Sequence, residues 1–381
     1  MISNRFDDIR PYYDSEVPEA LQRIAESPLF AIIASFVFPE LDTQTAREKL
    51  IATRDTYRFQ HQIMHRVNQR IIDTSITEMT FGGVENIAND KGYLFVSNHR
   101  DIMLDASLLQ NILMDHDLPT NQITFGANLM CNELVIDIGK SNKMFRVERP
   151  SSNLRDFYRA SVHLSEYMRH IITEQGESAW IAQRNGRTKD GVDRTDQGII
   201  NMFRMSCPKS NINSIADLNI TPIAVSYEWE PCCVQKVCEL YISRRQTYVK
   251  RENEDLESIL SGITGHKGRV HFEICTPLTE EEIAPYADLT SNEFNKTIAG
   301  IIDQRVCSSY RLWPNNYIAH DMLSHSDRYA SHYTAEEKQR FLTYVEECEA
   351  KIDPQFNHEE VRELLLGIYA YAVDSKELFK R

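Results

Sequence analysis

The segment Tyr93-Leu-Phe-Val-Ser-Asn-His-Arg-Asp-Ile-Met-Leu-Asp105 joins a short apolar run to a polar loop. The run over residues 93–97 has the length and texture of a buried strand, and residues 105–115 have the pattern of a helix. A strand followed by a helix is the repeating unit of an α/β sheet, in which ligands bind beyond the carboxyl ends of the strands. His99, which follows the strand closely, therefore occupies a favourable position for a reactive side chain.

Short apolar runs separated by helical stretches recur along the middle of the chain. Further strands are predicted at residues 178–182, 222–229, 237–243 and 270–275, and a further helix at residues 153–175. This alternation predicts an α/β fold with a mixed central sheet flanked by helices.

Helices are predicted on both sides of this central region. Residues 17–38 and 45–74 are helix-like, the second with Thr45 and Glu48 as a capping box at its start. Three more candidates follow at residues 279–286, 335–352 and 358–373. We therefore divide the chain into an N-terminal helical extension (residues 1–79), an α/β domain (80–276) and a helical C-terminal region packed on it (277–381).

The composition argues against several classes of protein. At 381 residues the chain can bury a sizeable core, and its net charge of −14 argues against a nucleic-acid partner, because nucleic-acid binders carry a basic field. Eight irregularly spaced cysteines without an export signal predict reduced thiols and a cytoplasmic location, and no residue set has metal-ligand spacing. The most apolar run, residues 29–38, is too short to span a bilayer and predicts a buried helix or an anchor at a membrane surface.

His99 and two nearby carboxylates suit a general base. A carboxylate that accepts from one ring nitrogen of a histidine leaves the other nitrogen free to take a proton from a hydroxyl. Asp101 and Asp105 both lie close to His99 along the chain. Spacing alone does not distinguish such a pair from a structural histidine, because the chain has 12 histidines and many acids.

Two segments with paired arginines suit an anionic ligand. Arg146 and Arg149 lie on a short extended stretch, and Gly186 forms a predicted turn between Arg184 and Arg187. Guanidinium groups grip phosphate bidentately, and the amides of a turn add donors. A solvated charge run is the alternative explanation for each segment taken singly.

A third basic segment, residues 265–269, contains Lys267 and Arg269. In a chain this acidic, it could receive the phosphates of a ligand or the acidic face of a protein partner. A solvated loop is the alternative here as well.

The chain resembles the glycerol-phosphate and lysophosphatidate acyltransferase family, whose members carry four sequence blocks in a fixed order. The four blocks are matched by Asn98-His99 to Asp105, by Gly139 to Arg149, by Asn185-Gly186-Arg187-Thr188 and by Thr221-Pro222-Ile223. The resemblance covers residues 93–226. It implies that His99 and an aspartate form the catalytic pair, that Arg149 and the third block hold the acceptor phosphate, and that Pro222 helps to line the acyl-donor site. With this resemblance, Lys267 and Arg269 are expected at the acyl-donor site, where they would receive the phosphates of coenzyme A or the acidic face of an acyl carrier protein.

Two departures from the family pattern affect these roles. Five residues separate His99 from Asp105, where the family has four, so Asp105 is the favoured partner of His99 and Asp101 remains a rival. Asn185 replaces the glutamate of the third block, which keeps an acceptor oxygen but loses the charge.

The resemblance implies an O-acyltransferase of phospholipid biosynthesis. His99 would activate a hydroxyl of glycerol 3-phosphate or of a lysophospholipid such as lysophosphatidate, and acyl-CoA or an acyl carrier protein would supply the acyl group without a metal or other cofactor. Arg149 and Arg187, helped by Arg146 and Arg184, would hold the phosphate. Two alternatives remain: a lyso-aminolipid or other acceptor without phosphate, and a non-catalytic homologue that binds lipid or a carrier protein. Peripheral contact with the inner face of the cytoplasmic membrane is a further expectation.

Overall fold

A mixed sheet of seven strands lies at the centre of the computed structural model, which describes residues 5–130, 132–148 and 153–380. The strands are β1 Ile76–Gly82, β2 Leu94–Ser97, β3 Gln122–Gly126, β4 Met144–Val147, β5 Ala179–Ala182, β6 Ile220–Tyr227 and β7 Gly268–Ile274. Their order in the sheet is β1-β7-β6-β2-β5-β3-β4, and every neighbouring pair is parallel except β6 with β7. The predicted mixed sheet flanked by helices is confirmed.

Helices surround the sheet and form both ends of the described chain. They are α1 Val17–Glu26, α2 Phe30–Val37, α3 Thr43–Ala52, α4 Thr56–Phe59, α5 His65–Ser75, α6 Leu104–Asp115, α7 Glu133–Ser141, α8 Leu154–Thr173, α9 Gln197–Arg204, α10 Asn211–Ala216, α11 Cys233–Ser243, α12 Glu254–Thr264, α13 Glu280–Ile283, α14 Ser291–Ser309, α15 Pro314–Leu323, α16 Ala335–Glu349 and α17 His358–Leu378. The π-helical turn Gln60–Met64 joins α4 to α5.

Alternate side chains of the central strand enter two cores, one on each face of the sheet. Leu94 and Val96 of β2 pack into a core with α8, α9 and α14, whereas Phe95 packs into a core with α6. All four residues of β2 are buried, as expected for a strand covered by helices on both faces. This burial fixes the loop that follows β2.

The proposed three-part division of the chain stays a prediction. Phe6, from the segment before the sheet, and Phe294 and Ile298, from the segment after it, share one core with the strands. Both ends of the described chain therefore contribute to the packing of the sheet.

Two element predictions are wrong. Residues 237–243, predicted as a strand, belong to helix α11, in which Cys233, Val237 and Tyr241 are buried at helical spacing. The single helix predicted at residues 45–74 is broken between α3 and α4, and Asp42 rather than Thr45 caps its start by accepting from two backbone amides.

The apolar run at residues 29–38 forms helix α2 and its ends. Phe30, Ala34 and Val37 are buried, while Leu29 and Ile32 are 52% and 68% exposed. Among the described residues, no single helix has the length and apolar character needed to cross a membrane; α1 and α2, bent by 106° at their junction, meet that criterion only as a pair.

Candidate active site

The polar loop after β2 places His99 at the carboxyl edge of the sheet. Its Nδ1 lies 2.9 Å from Oδ2 of Asp105, and its ring meets the indole of Trp180 edge-on at a centroid distance of 5.5 Å. The His99 side chain is 13% exposed and lines a cavity. When Nδ1 donates its proton to Asp105, Nε2 is the nitrogen left to accept one.

Asp105 is fully buried at the start of α6 and is held by four donors. Oδ2 accepts from His99 and from the backbone amides of Arg100 and Asp101, at 2.6 and 2.9 Å for the amides. Oδ1 accepts from the phenol of Tyr227 at 2.8 Å. This arrangement fixes the carboxylate and supplies a negative charge that would stabilise a protonated His99.

Asp101, the rival partner of His99, has a different environment. Its Oδ1 accepts from the amides of Met103 and Leu104, both at 2.9 Å, and so caps helix α6. Its buried Oδ2 has no hydrogen-bond partner in the part of the chain that the structure describes, and burial together with the nearby Asp105 charge raises the pKa of Asp101. The structure therefore brings Asp105, and not Asp101, to the imidazole of His99.

A cavity of about 590 Å³ opens beside His99 at this edge of the sheet. One wall is apolar and includes Phe125, Leu129, Phe157, Leu164, Met202 and Met205. Polar lining residues come from the turn after β5 and from the segment that leads into α12, together with Glu148, Asp196, Asn201 and Glu239. The cavity can accommodate an amphiphile with its polar part near His99.

The turn after β5 contributes two arginines to this cavity. Arg184 and Arg187 flank the exposed Asn185 and the half-buried Gly186, which has a φ of +77°. Arg187 donates through Nη2 to Oγ of Ser258 at 3.3 Å, and its buried Nη1 has no hydrogen-bond partner among the described residues. Within the described part of the chain, neither arginine has a carboxylate partner in the ion pairs that the structure forms.

The other cavity cations are neutralised locally. Lys189 pairs with Glu239, and Lys250 pairs with Asp255. Arg184 and Arg187 are thus the cations of the described cavity wall that remain available to an anion.

Several residues that the sequence assigned to the site lie elsewhere. Arg146 is exposed on β4, where it pairs with Glu148 at 2.7 Å, and its neighbour Val147 lines the cavity instead. This difference follows from the alternation of side chains along a strand. Arg149 lies outside the described residues.

The three residues assigned to the acyl-donor site do not line the cavity either. Pro222 is buried in β6. Lys267 is buried and donates to Ser75 Oγ and to a backbone carbonyl at 2.9 and 2.6 Å, and burial lowers its pKa to about 8. Arg269 forms two bonds of 3.0 Å with Glu228. Folding occupies these cations with internal partners, which a sequence pattern does not reveal.

Asp193 organises the site; from the sequence it was expected at most to compensate, like Asp190, for the glutamate that Asn185 replaces. Its carboxylate accepts from Asn98 at 3.0 Å, from Arg100 at 2.6 Å and from Thr188 at 2.8 Å. The amide of Thr188 in turn donates to the carbonyl of His99 at 2.7 Å. Asp193 therefore ties the loop of His99 to the turn that carries the two arginines.

Tyr227 was also missed. It lies inside the strand predicted at residues 222–229, but nothing in the sequence indicates that its phenol reaches Asp105. Among the described residues, no group of three or more histidine, cysteine, aspartate or glutamate side chains is arranged to hold a metal ion.

Comparison with known proteins gives a match to one family model and matches to several solved structures. Residues 78–226 match the model of the family described as Acyltransferase. The solved structure of the 1-acyl-sn-glycerophosphate (LPA) acyltransferase PlsC from Thermotoga maritima is similar at 14% identity and a TM-score of 0.38, covering 77% of this chain and 95% of that one. No curated protein matches the sequence.

Proposed function

Because residues 78–226 carry an acyltransferase domain, we propose that this chain transfers a fatty acyl group from a thioester to a hydroxyl of a phosphate-bearing glycerolipid precursor. One observation carries the proposal. A histidine oriented by a buried carboxylate lines the same cavity as two arginines that form no ion pair with any described carboxylate.

His99 is the proposed general base. Its Nε2 takes the proton of the acceptor hydroxyl while the hydroxyl oxygen attacks the thioester carbonyl carbon. The tetrahedral intermediate collapses, the carbon–sulfur bond breaks, and the thiolate leaves with the proton that His99 holds. Asp105 stabilises the imidazolium between these two events, because its charge lies 2.9 Å from Nδ1.

Arg184 and Arg187 are the proposed phosphate ligands. The unpaired Nη1 of Arg187 and the guanidinium of Arg184 offer charge-assisted hydrogen bonds on one side of the cavity. A phosphate held there places a nearby hydroxyl beside His99, and such positioning lowers the entropy cost of the reaction. The apolar wall suits the acyl chain of the donor, whether coenzyme A or an acyl carrier protein presents it.

Peripheral contact with a membrane is part of the proposal. Leu29, between α1 and α2, and Ile32, in the first turn of α2, are exposed large apolar side chains. Replacing both with serine should reduce co-sedimentation with phosphatidylcholine vesicles. Unchanged co-sedimentation would argue against this surface.

The test is thiol release from acyl-CoA and from acyl carrier protein with three acceptors: glycerol 3-phosphate, lysophosphatidate and a lyso-aminolipid. Arg187→Ala should lower kcat/KM for the phosphate acceptors by about 10- to 100-fold. Arg159→Ala is the matched control, because Arg159 is 73% exposed and does not line the cavity. Activity on the lyso-aminolipid that survives Arg187→Ala would favour the acceptor without phosphate, which Asn185 also suits. No turnover with any acceptor would favour the non-catalytic homologue.

A further inference from the structure

Tyr227 ends strand β6 directly behind the catalytic pair. Its side chain is 1% exposed, and its hydroxyl donates to Oδ1 of Asp105 at 2.8 Å. Burial and the Asp105 charge raise the pKa of Tyr227 well above its ordinary value. The phenol therefore stays protonated and remains a donor.

The two oxygens of Asp105 are used differently. Oδ2 is shared by His99 Nδ1 and two backbone amides, whereas Tyr227 is the donor that the described structure gives to Oδ1. The phenol therefore stabilises part of the carboxylate charge at a point remote from the imidazole. A carboxylate that is satisfied by more donors is a weaker base toward each of them.

We propose that Tyr227 is a positioning residue that sets the proton affinity of His99 through the second oxygen of Asp105. The inference rests on the proposed function in taking His99 as the base. The family resemblance assigned strand β6 to the acyl-donor site through Pro222, whereas this inference gives the strand a role in positioning the catalytic pair. Pro222 of that block does not line the cavity, and Tyr227, five positions further on, contacts the catalytic pair instead.

Removal of the Tyr227 hydroxyl should raise the pH at which His99 becomes able to act as a base. Phenylalanine fills the same space but leaves Oδ1 without its donor, so the buried carboxylate holds a proton more tightly, either on itself or through His99. Both outcomes require a higher pH before His99 can act as a base. The acidic limb of the pH–rate profile should therefore move upward.

The experiment compares Tyr227→Phe with Tyr93→Phe. Tyr93 is also a buried tyrosine whose hydroxyl has a hydrogen-bond partner, the Ala88 amide at 3.0 Å, but it lies just before β2, at the opposite edge of the sheet from His99. Tyr227→Phe should raise the midpoint of the acidic limb of kcat/KM by about 0.5–1 pH unit. It should also lower kcat at neutral pH about three- to tenfold with little change in KM. Tyr93→Phe should leave both quantities unchanged.

A second measurement does not depend on activity. The ¹⁵N-histidine NMR titration of the full chain follows the His99 imidazole, which is assigned by its loss in His99→Ala. The His99 titration should move to higher pH in Tyr227→Phe and stay in place in Tyr93→Phe. An unmoved titration in a folded Tyr227→Phe protein overturns the inference, whatever the turnover. A moved titration without turnover on any acceptor supports the inference and overturns the proposed function.

Discussion

Asp105→Asn should disable the site, because Asp105 serves His99 in a way that an amide does not reproduce. The amide oxygen can replace Oδ2 only if the amide nitrogen faces Tyr227, whose hydroxyl then loses its acceptor in a fully buried place. The neutral amide also fails to stabilise a protonated His99. We expect kcat to fall by about 10³- to 10⁴-fold.

The stability change follows from the same contacts. One buried hydroxyl without an acceptor costs about 1–3 kcal/mol, and the bonds that His99 and two amides make to Oδ2 lose their charge assistance. We therefore expect the free energy of unfolding to fall by about 2–5 kcal/mol. Such a protein remains folded at moderate temperature, so the activity loss can be measured separately.

Asp101→Asn is the matched variant, because it makes the same chemical change two residues from His99. An asparagine oxygen can keep both bonds from Met103 and Leu104, and the amide nitrogen replaces an oxygen that has no partner. Its kcat should stay within about threefold of wild type and its stability within about 1 kcal/mol. Acceptor-dependent thiol release and urea unfolding measure both quantities. An Asp101→Asn protein that loses as much activity as Asp105→Asn would refute the pairing of His99 with Asp105.

Two further predictions concern the surroundings of the site. A methyl group at Gly262 would meet Asp101 Oδ2 at 2.2 Å, so Gly262→Ala should displace α12 and lower both kcat and the unfolding temperature. Gly300→Ala is the control, because no described atom lies within 4 Å of the new methyl group. It should raise the free energy of unfolding by about 0.5–1 kcal/mol and leave kcat unchanged. Equal changes in the two variants would contradict this prediction. Burial lowers the pKa of Lys267 to about 8, below its value of about 10.4 in the unfolded chain. Between about pH 8 and pH 10.4 the unfolded chain therefore binds more protons than the folded one, so the free energy of unfolding rises with pH. The stability of wild type relative to Lys267→Met, measured by urea unfolding, should thus increase by about 1–3 kcal/mol from pH 8 to pH 10, and a constant difference would contradict this.

Local patterns predicted the centre of the fold well. The apolar run before His99 forms β2, and the helix predicted at residues 105–115 is α6. Strands β1 and β3 were not predicted, because neither has a continuous apolar run: most side chains of β1 are exposed or half-buried, and Thr124 separates Ile123 from Phe125 in β3. Helix α11 was mistaken for a strand because a short apolar run does not distinguish a buried helix from a buried strand.

Tertiary contacts identify the partner of His99 and the roles of two basic residues, which the sequence left open. The spacing left Asp101 and Asp105 as rivals, and the helix start at Leu104 separates them, since Asp101 caps the helix while Asp105 turns back to His99. The basic character of Lys267 and Arg269 suggested a donor site. Their side-chain partners, Ser75 for Lys267 and Glu228 for Arg269, lie 192 and 41 positions away in the chain, which no local pattern encodes.

The direct test of His99 as the base is acceptor-dependent thiol release by His99→Ala. The matched control is His163→Ala, because His163 also pairs with an aspartate, Asp8 at 3.0 Å, but lies outside the cavity. We expect His99→Ala to lose about 10²- to 10⁴-fold in kcat while it stays folded, and His163→Ala to keep the wild-type rate. A folded His99→Ala protein that releases thiol at the wild-type rate with acceptor present would contradict the proposed mechanism.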